Sequence, residues 1–248
     1  MKLPTVISAA CMGLMLSTSL SLAGPEVVSG PGANPECFAP WSAETKYMQW
    51  PAREGPYKIA VVNGFVGNGW RIQMIKTAKA FAEDPAIKDK IAEFKVVSTG
   101  TDAPAQLGAI EDFINQGYDA IVTIAVAPDG FDRVIRLADK NDVVLVPFDN
   151  VLDTDAVMQV NEDQLLMGRT WAEFTLRELK AKGVTSGDIL EVRGLAGNSV
   201  DRDRSIGINE VLEADAGDWN VTQVVGNWDD GTAQKVVADA IAVHGEFD

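Results

Sequence analysis

Short apolar runs alternate with amphipathic stretches along most of this chain, and the alternation starts abruptly at Tyr57. "YKIAVVN" is a continuous apolar run of the kind that parallel sheets bury on both faces. It is followed by "WRIQMIKTAKAFAED", with Ile72, Ile75, Ala78 and Ala82 at helical spacing. The rhythm repeats through "EFKVVS", "APAQLGAIEDFINQG", "DAIVTIAV", "DGFDRVIRLADKN" and "VVLVPFD", with Gly117 placed to end a helix in a left-handed conformation. Strands and helices joined by short connections predict an α/β domain with a parallel sheet. Right-handed crossovers then bring the loops that follow the strands to one edge.

After Asp149 the rhythm breaks. "NVLDTDAVMQV" predicts a short strand between polar turns, crossing to a second lobe. In "NEDQ", Asn161 and Gln164 form a capping-box pattern that opens a helix running to Lys182 and closed by Gly183. "DILEVRG", the helix "VDRDRSIGINEVLEA", "WNVTQVVGN" and the helix "DGTAQKVVADAIAVHGEFD" complete the chain. The expected division is a lobe over residues 57–150 and a second over 151–248. The second lobe reads as incomplete: its few strands end on a helix whose apolar face (Val236, Val237, Ala240, Ile241) has no later strand to cover, so the sequence reads as a C-terminally truncated portion of a longer protein.

The segments before Tyr57 follow other patterns. Residues 1–23 combine Lys2, an apolar stretch and small residues at Ser21 and Ala23, the pattern of a cleaved signal peptide. That stretch is too short and too broken to span a bilayer, which takes about 20 apolar residues. Residues 24–56 are rich in Pro, Gly and Ser and read as an extended arm, ordered where Trp41, Tyr47, Met48 and Trp50 pack. Beyond the leader Cys37 is the single cysteine, so no internal disulfide is available and, with one histidine, no zinc site. The net charge of −15 argues against nucleic acid or an anionic membrane as the main partner.

In open α/β sheets ligands bind beyond the carboxyl ends of the strands, so the residues there carry the functional reading. "GFVGNG" has its glycines in the wrong order for a dinucleotide, the second strand ends in "VVSTG" without an acid for a ribose, and no GK[ST] follows any strand. No nucleophile elbow is present, and the lone His244 lies near the end of the last helix. No cofactor or metal is expected. The remaining set suits a polyhydroxyl compound, which needs ionised or amide forks and aromatic rings against its apolar face. Trp70 and Trp228 follow strands in different lobes, and Asp149, Asn150 and Arg202 supply forks, with Asn63 and Asn68 in the first loop. Arg202 stands near a helix start, where the macrodipole disfavours a cation by about 0.3–1 kcal/mol, and a ligand contact would offset that cost.

Four stretches, "KIAVVNGFVGNGWRIQM", "VVLVPFDN", "EVRGLAGNSVDRDRSIGINEVL" and "VVGNWDDGTAQKVVADAI", resemble the periplasmic sugar-binding proteins of the ribose-binding type, over Tyr57 to Asp248. The resemblance implies a type I periplasmic binding protein: two Rossmann-like lobes with parallel sheets, joined by a hinge and closing on a small sugar or polyol without chemistry. It implies a periplasmic location, a membrane permease of an ATP-driven (ABC) importer as partner, and a chemoreceptor as a further candidate. By resemblance Arg202 forks onto sugar hydroxyls, Asp149 is the cleft acid, Trp228 stacks on the ring, and Asn68 and Trp70 fall near polar and aromatic contacts. Asn150 departs from relatives that carry Arg after the cleft Asp. Other readings of the same residues are a binding protein for a signalling furanose or nucleoside, an envelope carbohydrate-active enzyme, and the effector domain of a sugar-responsive repressor. The leader, and the lack of a basic helix-turn-helix segment before Tyr57, count against the repressor.

Overall fold

A computed structural model describes residues 25–31 and 35–248, so the leader read in residues 1–23 lies outside it. The first large sheet has four parallel strands, β3 (Tyr57–Asn63), β4 (Ile91–Ser98), β5 (Ala120–Thr123) and β6 (Val144–Pro147), in the order β4-β3-β5-β6. They are connected by α1 (Gly69–Ala82), α2 (Ala103–Asn115) and α3 (Asp132–Lys140). The strand order reverses between β3 and β5, and this is the switch point where the following loops diverge and leave a crevice.

The apolar runs of these strands are buried as their composition predicts. Ala60, Val62 and Ile121 are fully buried and pack with Ile110, Phe113 and Ile114 of α2 and Val134, Ile135 and Ala138 of α3. Each large aliphatic chain withdrawn from water in this way stabilises the fold by about 1.5–3 kcal/mol. Gly117 takes the left-handed conformation expected of it, at φ 73°. The other face is more open. On α1 only Arg71 and Ala82 are buried, Ile72 is exposed, and Trp70, Met74 and Phe81 border a groove of about 510 Å³ floored by Val61, Val122 and Phe148. The apolar stripe read along α1 is therefore only partly covered.

The second half contributes α4 (Gln164–Ala181), β7 (Gly187–Arg193), α5 (Ser199–Ala214), β8 (Trp219–Val225) and α6 (Asp230–His244), with β7 and β8 forming a parallel pair. Ala172, Leu176 and Leu212 centre its core, with Ile189 and Val221 from the strands packed against them. Two sequence expectations are corrected between the halves. "NVLDTDAVMQV" forms a single parallel bridge, Phe148 with Val160, and no strand, because turns at both ends use its polar groups. α4 is capped by Asp163, whose carboxylate accepts from the Leu166 amide at 2.8 Å; Gln164 is the first helical residue and donates to Asn161 at 3.3 Å. The arm is also more regular than expected: β1 (Glu26–Val28) and β2 (Tyr47–Gln49) pair antiparallel, while Trp41 remains exposed.

α4 and α5 pack closely because each presents a glycine to the other. A Cβ on Gly168 would stand 2.1 Å from the Arg204 carbonyl oxygen, and one on Gly207 would stand 2.2 Å from that of Leu165. Backbone on both sides leaves nothing flexible to yield. Gly207→Ala should therefore lower stability by about 1–3 kcal/mol, read as a fall in the urea midpoint at unchanged slope.

Candidate ligand site at the edges of the two sheets

Asp149 directly follows Phe148 at the carboxyl end of β6, with its backbone in the left-handed region at φ 61° and its amide donating to the Val160 carbonyl at 2.9 Å. Aspartate tolerates this conformation better than most residues. Its side chain is largely withdrawn from water. Burial pushes its pKa from 3.8 up to about 6, and the Glu162 charge adds to the rise. The Arg71 and Arg204 charges act in the opposite direction.

These two arginines come from different halves and are held by different amides. Arg71 is 4% exposed and donates through one terminal nitrogen to Asn63 Oδ1 at 2.8 Å. Burial lowers its pKa to about 10, partly countered by the Asp149 charge. Its guanidinium also lies over the rings of Phe65, 5.1 Å from the centroid, and Trp70, at 5.5 Å. Arg204 on α5 donates through Nε to Gln164 Oε1 at 2.8 Å and lies over the Trp171 ring. Gln164 is itself buried and donates to Glu162 Oε2 at 3.1 Å. In such a set the carboxylate can accept from hydroxyl groups while the two guanidinium forks donate to them.

An aromatic group lies beside this set. Trp228 is half-buried, and its ring stacks on Phe65 with centroids 6.3 Å apart and planes within 9°. A Cβ on Gly194 would come within 2.2 Å of the indole, so this glycine lets the ring lie against the β7 loop. Asn227 and Trp228 both have positive φ, 55° and 51°. For a tryptophan this conformation costs about 1–2 kcal/mol, and it places the ring between the loops of the two halves.

The residues singled out from sequence divide in three ways. Asp149 and Trp228 are at the junction, together with Asn68, whose Nδ2 donates to the Trp228 carbonyl at 2.7 Å. Asn63 and Asn150 are buried behind it: Asn63 spends its amide on Phe65, Ser98 and Arg71, and Asn150 donates to the Ala125 carbonyl. Trp70 is half exposed at the rim of the α1 groove, where it meets Arg71.

Arg202 is engaged by acids near it. Its Nε donates to Asp203 at 2.7 Å, a terminal nitrogen approaches Asp153 at 3.4 Å, and its side chain is 46% exposed. Helical phase is the reason: residues two apart are rotated by about 200°, so Arg202 and Arg204 point to opposite sides. Val200 and Gly207 share the inward face of α5 with Arg204, and that spacing was the signal that could have distinguished the two. Asp201 stands in the first turn of α5, where the macrodipole would favour its charge. It takes a two-pronged bond from Arg193, at 3.1 and 2.7 Å, together with the Gly194 amide. Arg71 was passed over although it follows Trp70 in the first turn after a strand loop.

Among the described residues no group of three or more His, Cys, Asp or Glu side chains is placed to hold a metal. None of the described helices is long and apolar enough to cross a membrane.

The fold is α/β, and these charged, amide and aromatic groups meet at the strand ends of its two larger sheets. The chain belongs to the periplasmic binding protein domain family, whose sequence profile matches residues 59–247. It is 27% identical over 176 residues to the galactofuranose-binding protein YtfQ of Escherichia coli, an alignment spanning 69% of this chain and 53% of that protein. The D-ribose/D-allose-binding protein of Pseudomonas aeruginosa is 24% identical over 198 residues, covering 75% of this chain and 59% of its own length. The solved structure of an arabinose ABC transporter binding protein from Shewanella, bound to L-arabinofuranose, superposes with a TM-score of 0.67 at 22% identity, over 75% of this chain and 60% of its own. A Burkholderia graminis solute-binding protein in complex with D-arabinose superposes at 0.69 and 20% identity, over 80% and 66%. The chain thus spans little more than half the length of these curated relatives.

The raised pKa of Asp149 has a consequence for stability. Its folded-state value, about 6, lies above the unfolded 3.8, so the protonated carboxyl is favoured in the fold. Stability from this group is complete below pH 3.8 and is lost as pH rises through 6. Asp149→Asn, which keeps the shape and tolerates the left-handed backbone, should raise apo stability at pH 7.5 by about 1–3 kcal/mol. It should also flatten the fall in melting temperature between pH 4 and 6.

Proposed function

We propose that this chain is the substrate-binding component of an ABC importer, holding a small sugar or polyol between two lobes that divide near residue 150. The observation that carries this reading is the convergence of Asp149 with Arg71 and Arg204, guanidiniums from opposite halves, beside the Trp228 and Phe65 rings. A carboxylate and two forks match the paired hydroxyls of a carbohydrate, and a ring against its apolar face completes the recognition. Binding involves no chemical step. The ligand favours the closed arrangement because only there do both arginines reach it, which is a population shift by differential affinity. A membrane permease that reads the closed form receives the ligand, and a chemoreceptor reading the same surface is a second partner. Export through cleavage after Ala23 delivers the protein to the periplasm.

Relatives named for galactofuranose and for ribose and allose support a monosaccharide as the ligand class, with furanose forms foremost. Reading Arg204 rather than Arg202 as the fork of the second half rests on the charge interaction of Arg204 with Asp149, while Arg202 is engaged by Asp203 and Asp153.

Thermal shift with a panel of aldopentoses, aldohexoses, their furanosides and polyols tests this. A ligand at about 1,000 times its dissociation constant should stabilise the protein by roughly 4 kcal/mol. Arg204→Lys keeps the charge and loses the planar fork, and should weaken that ligand by about 10-fold to 100-fold, since a lost charge-assisted bond is worth some 1.5–3 kcal/mol. Arg202→Ala should change affinity less than twofold. The reverse order of effects would return the binding role to Arg202.

A further inference from the structure

Asn68 and Asn198 are the N-caps of α1 and α5, and each performs two tasks with one amide. Asn68 Oδ1 accepts from the Arg71 amide at 2.9 Å, while its Nδ2 crosses to the Trp228 carbonyl in the second half. Asn198 Oδ1 accepts from the Val200 amide at 2.9 Å, while its Nδ2 crosses to the Ala125 and Val126 carbonyls in the first half, each at 3.2 Å. The arrangement is reciprocal: the helix cap of each half donates to backbone of the other. Asparagine separates the two tasks onto two atoms, whereas aspartate has no donor and a Ser or Thr hydroxyl would have to accept and donate through one short-reaching oxygen.

The acceptors are held ready. Gln106, 1% exposed, donates to the Ile124 carbonyl and accepts from the Val126 amide, both at 2.9 Å, which fixes the loop after β5. Asn150 donates to the same Ala125 carbonyl that Asn198 uses. On the other side, the Trp228 carbonyl is positioned by its left-handed backbone and by the stacking of its ring on Phe65. Asn198 is 1% exposed, so its bonds are shielded from competing water.

We infer that Asn68 and Asn198 form a closure clasp, two helix-capping amides that bond across the junction and set how much of the protein is closed before any ligand arrives. The clasp rests on the reading of two lobes closing on a ligand, and it adds a regulating element outside the groups that touch the ligand. Protein bound across the junction stays together without sugar, and a ligand then needs less differential affinity to complete the shift.

The test replaces the donor end alone. In Asn68→Asp/Asn198→Asp both caps persist, because aspartate caps as well as asparagine. Each NH₂ becomes an oxygen facing a carbonyl. With Cys37→Ser as background and spin labels at Lys76→Cys on α1 and Glu213→Cys on α5, pulsed dipolar spectroscopy reads the inter-half distance without sugar. The expected result is a shift of the main population to a longer distance in the Asp pair, with a melting temperature that falls less than in the Ala pair, because opening lets water reach the new carboxylates while both caps persist. Asn68→Ala/Asn198→Ala, which loses caps and clasp together, should open as well and melt lower. An Asp pair whose distance distribution matches the parent overturns the clasp. So does an Asp pair that melts as low as the Ala pair without opening, since that marks the residues as caps only. The distances are read with no ligand present, so a sugar panel that fails leaves this result standing, and a failed clasp leaves the panel intact.

Discussion

A charge removed from water must find a partner or take up a proton, and this requirement organises the junction between the two halves. Asp149 is desolvated at the end of β6, which by itself favours the protonated acid. Arg71 and Arg204 pull it back toward ionisation, but burial weakens their hold on their own protons as well. Such a group is poorly solvated and incompletely paired. Its remaining lone pairs suit an incoming donor more than they suit the empty protein. The surrounding amides make this possible: Asn63 fixes Arg71 and Gln164 fixes Arg204, so neither guanidinium has to collapse onto the acid.

The scaffold supplies this arrangement through the start of each helix. β3 ends where Asn63 is buried, the loop turns, and Asn68 begins α1 with Arg71 in its first turn. β7 ends at Arg193, which Asp201 anchors, and Asn198 begins α5 with Arg204 one turn in. The same sequence of strand end, loop, capping amide and inward arginine occurs in both halves. At α1 the helix start therefore orients a cation that its own macrodipole opposes, and the opposing carboxylate resolves the conflict.

Much of the architecture was legible because it rests on periodicity. Strands buried on both faces and helices with one apolar stripe leave different traces, and β3 to β6 with α2 and α3 follow them closely. The departures occur where a single polar residue decides. Asp163 out-competes Asn161 as the cap of α4 because its extended backbone points the carboxylate at the Leu166 amide, a choice that spacing alone does not reveal. The pairing of β1 with β2 joins segments separated by a proline-rich stretch with no period to read. Of the candidate site, Asp149 and Trp228 could be found from their place after strands. Arg204 could not be separated from Arg202 by that criterion, since only the phase of α5 against α4 tells them apart. Arg71 was hidden by its neighbour Trp70, a more conspicuous residue for sugar recognition.

The glycine contact between α4 and α5 limits how the second half can diversify. With backbone against backbone at Gly168 and Gly207, neither helix can slide or rotate without the other, and Gln164 and Arg204 move as one body. Side chains along the edge of that body can be exchanged to suit a different solute while its internal geometry stays constant. Drift in specificity would then proceed by substitutions around a fixed pair of helices, and a change at either glycine would need a matching retreat on the facing helix in the same step.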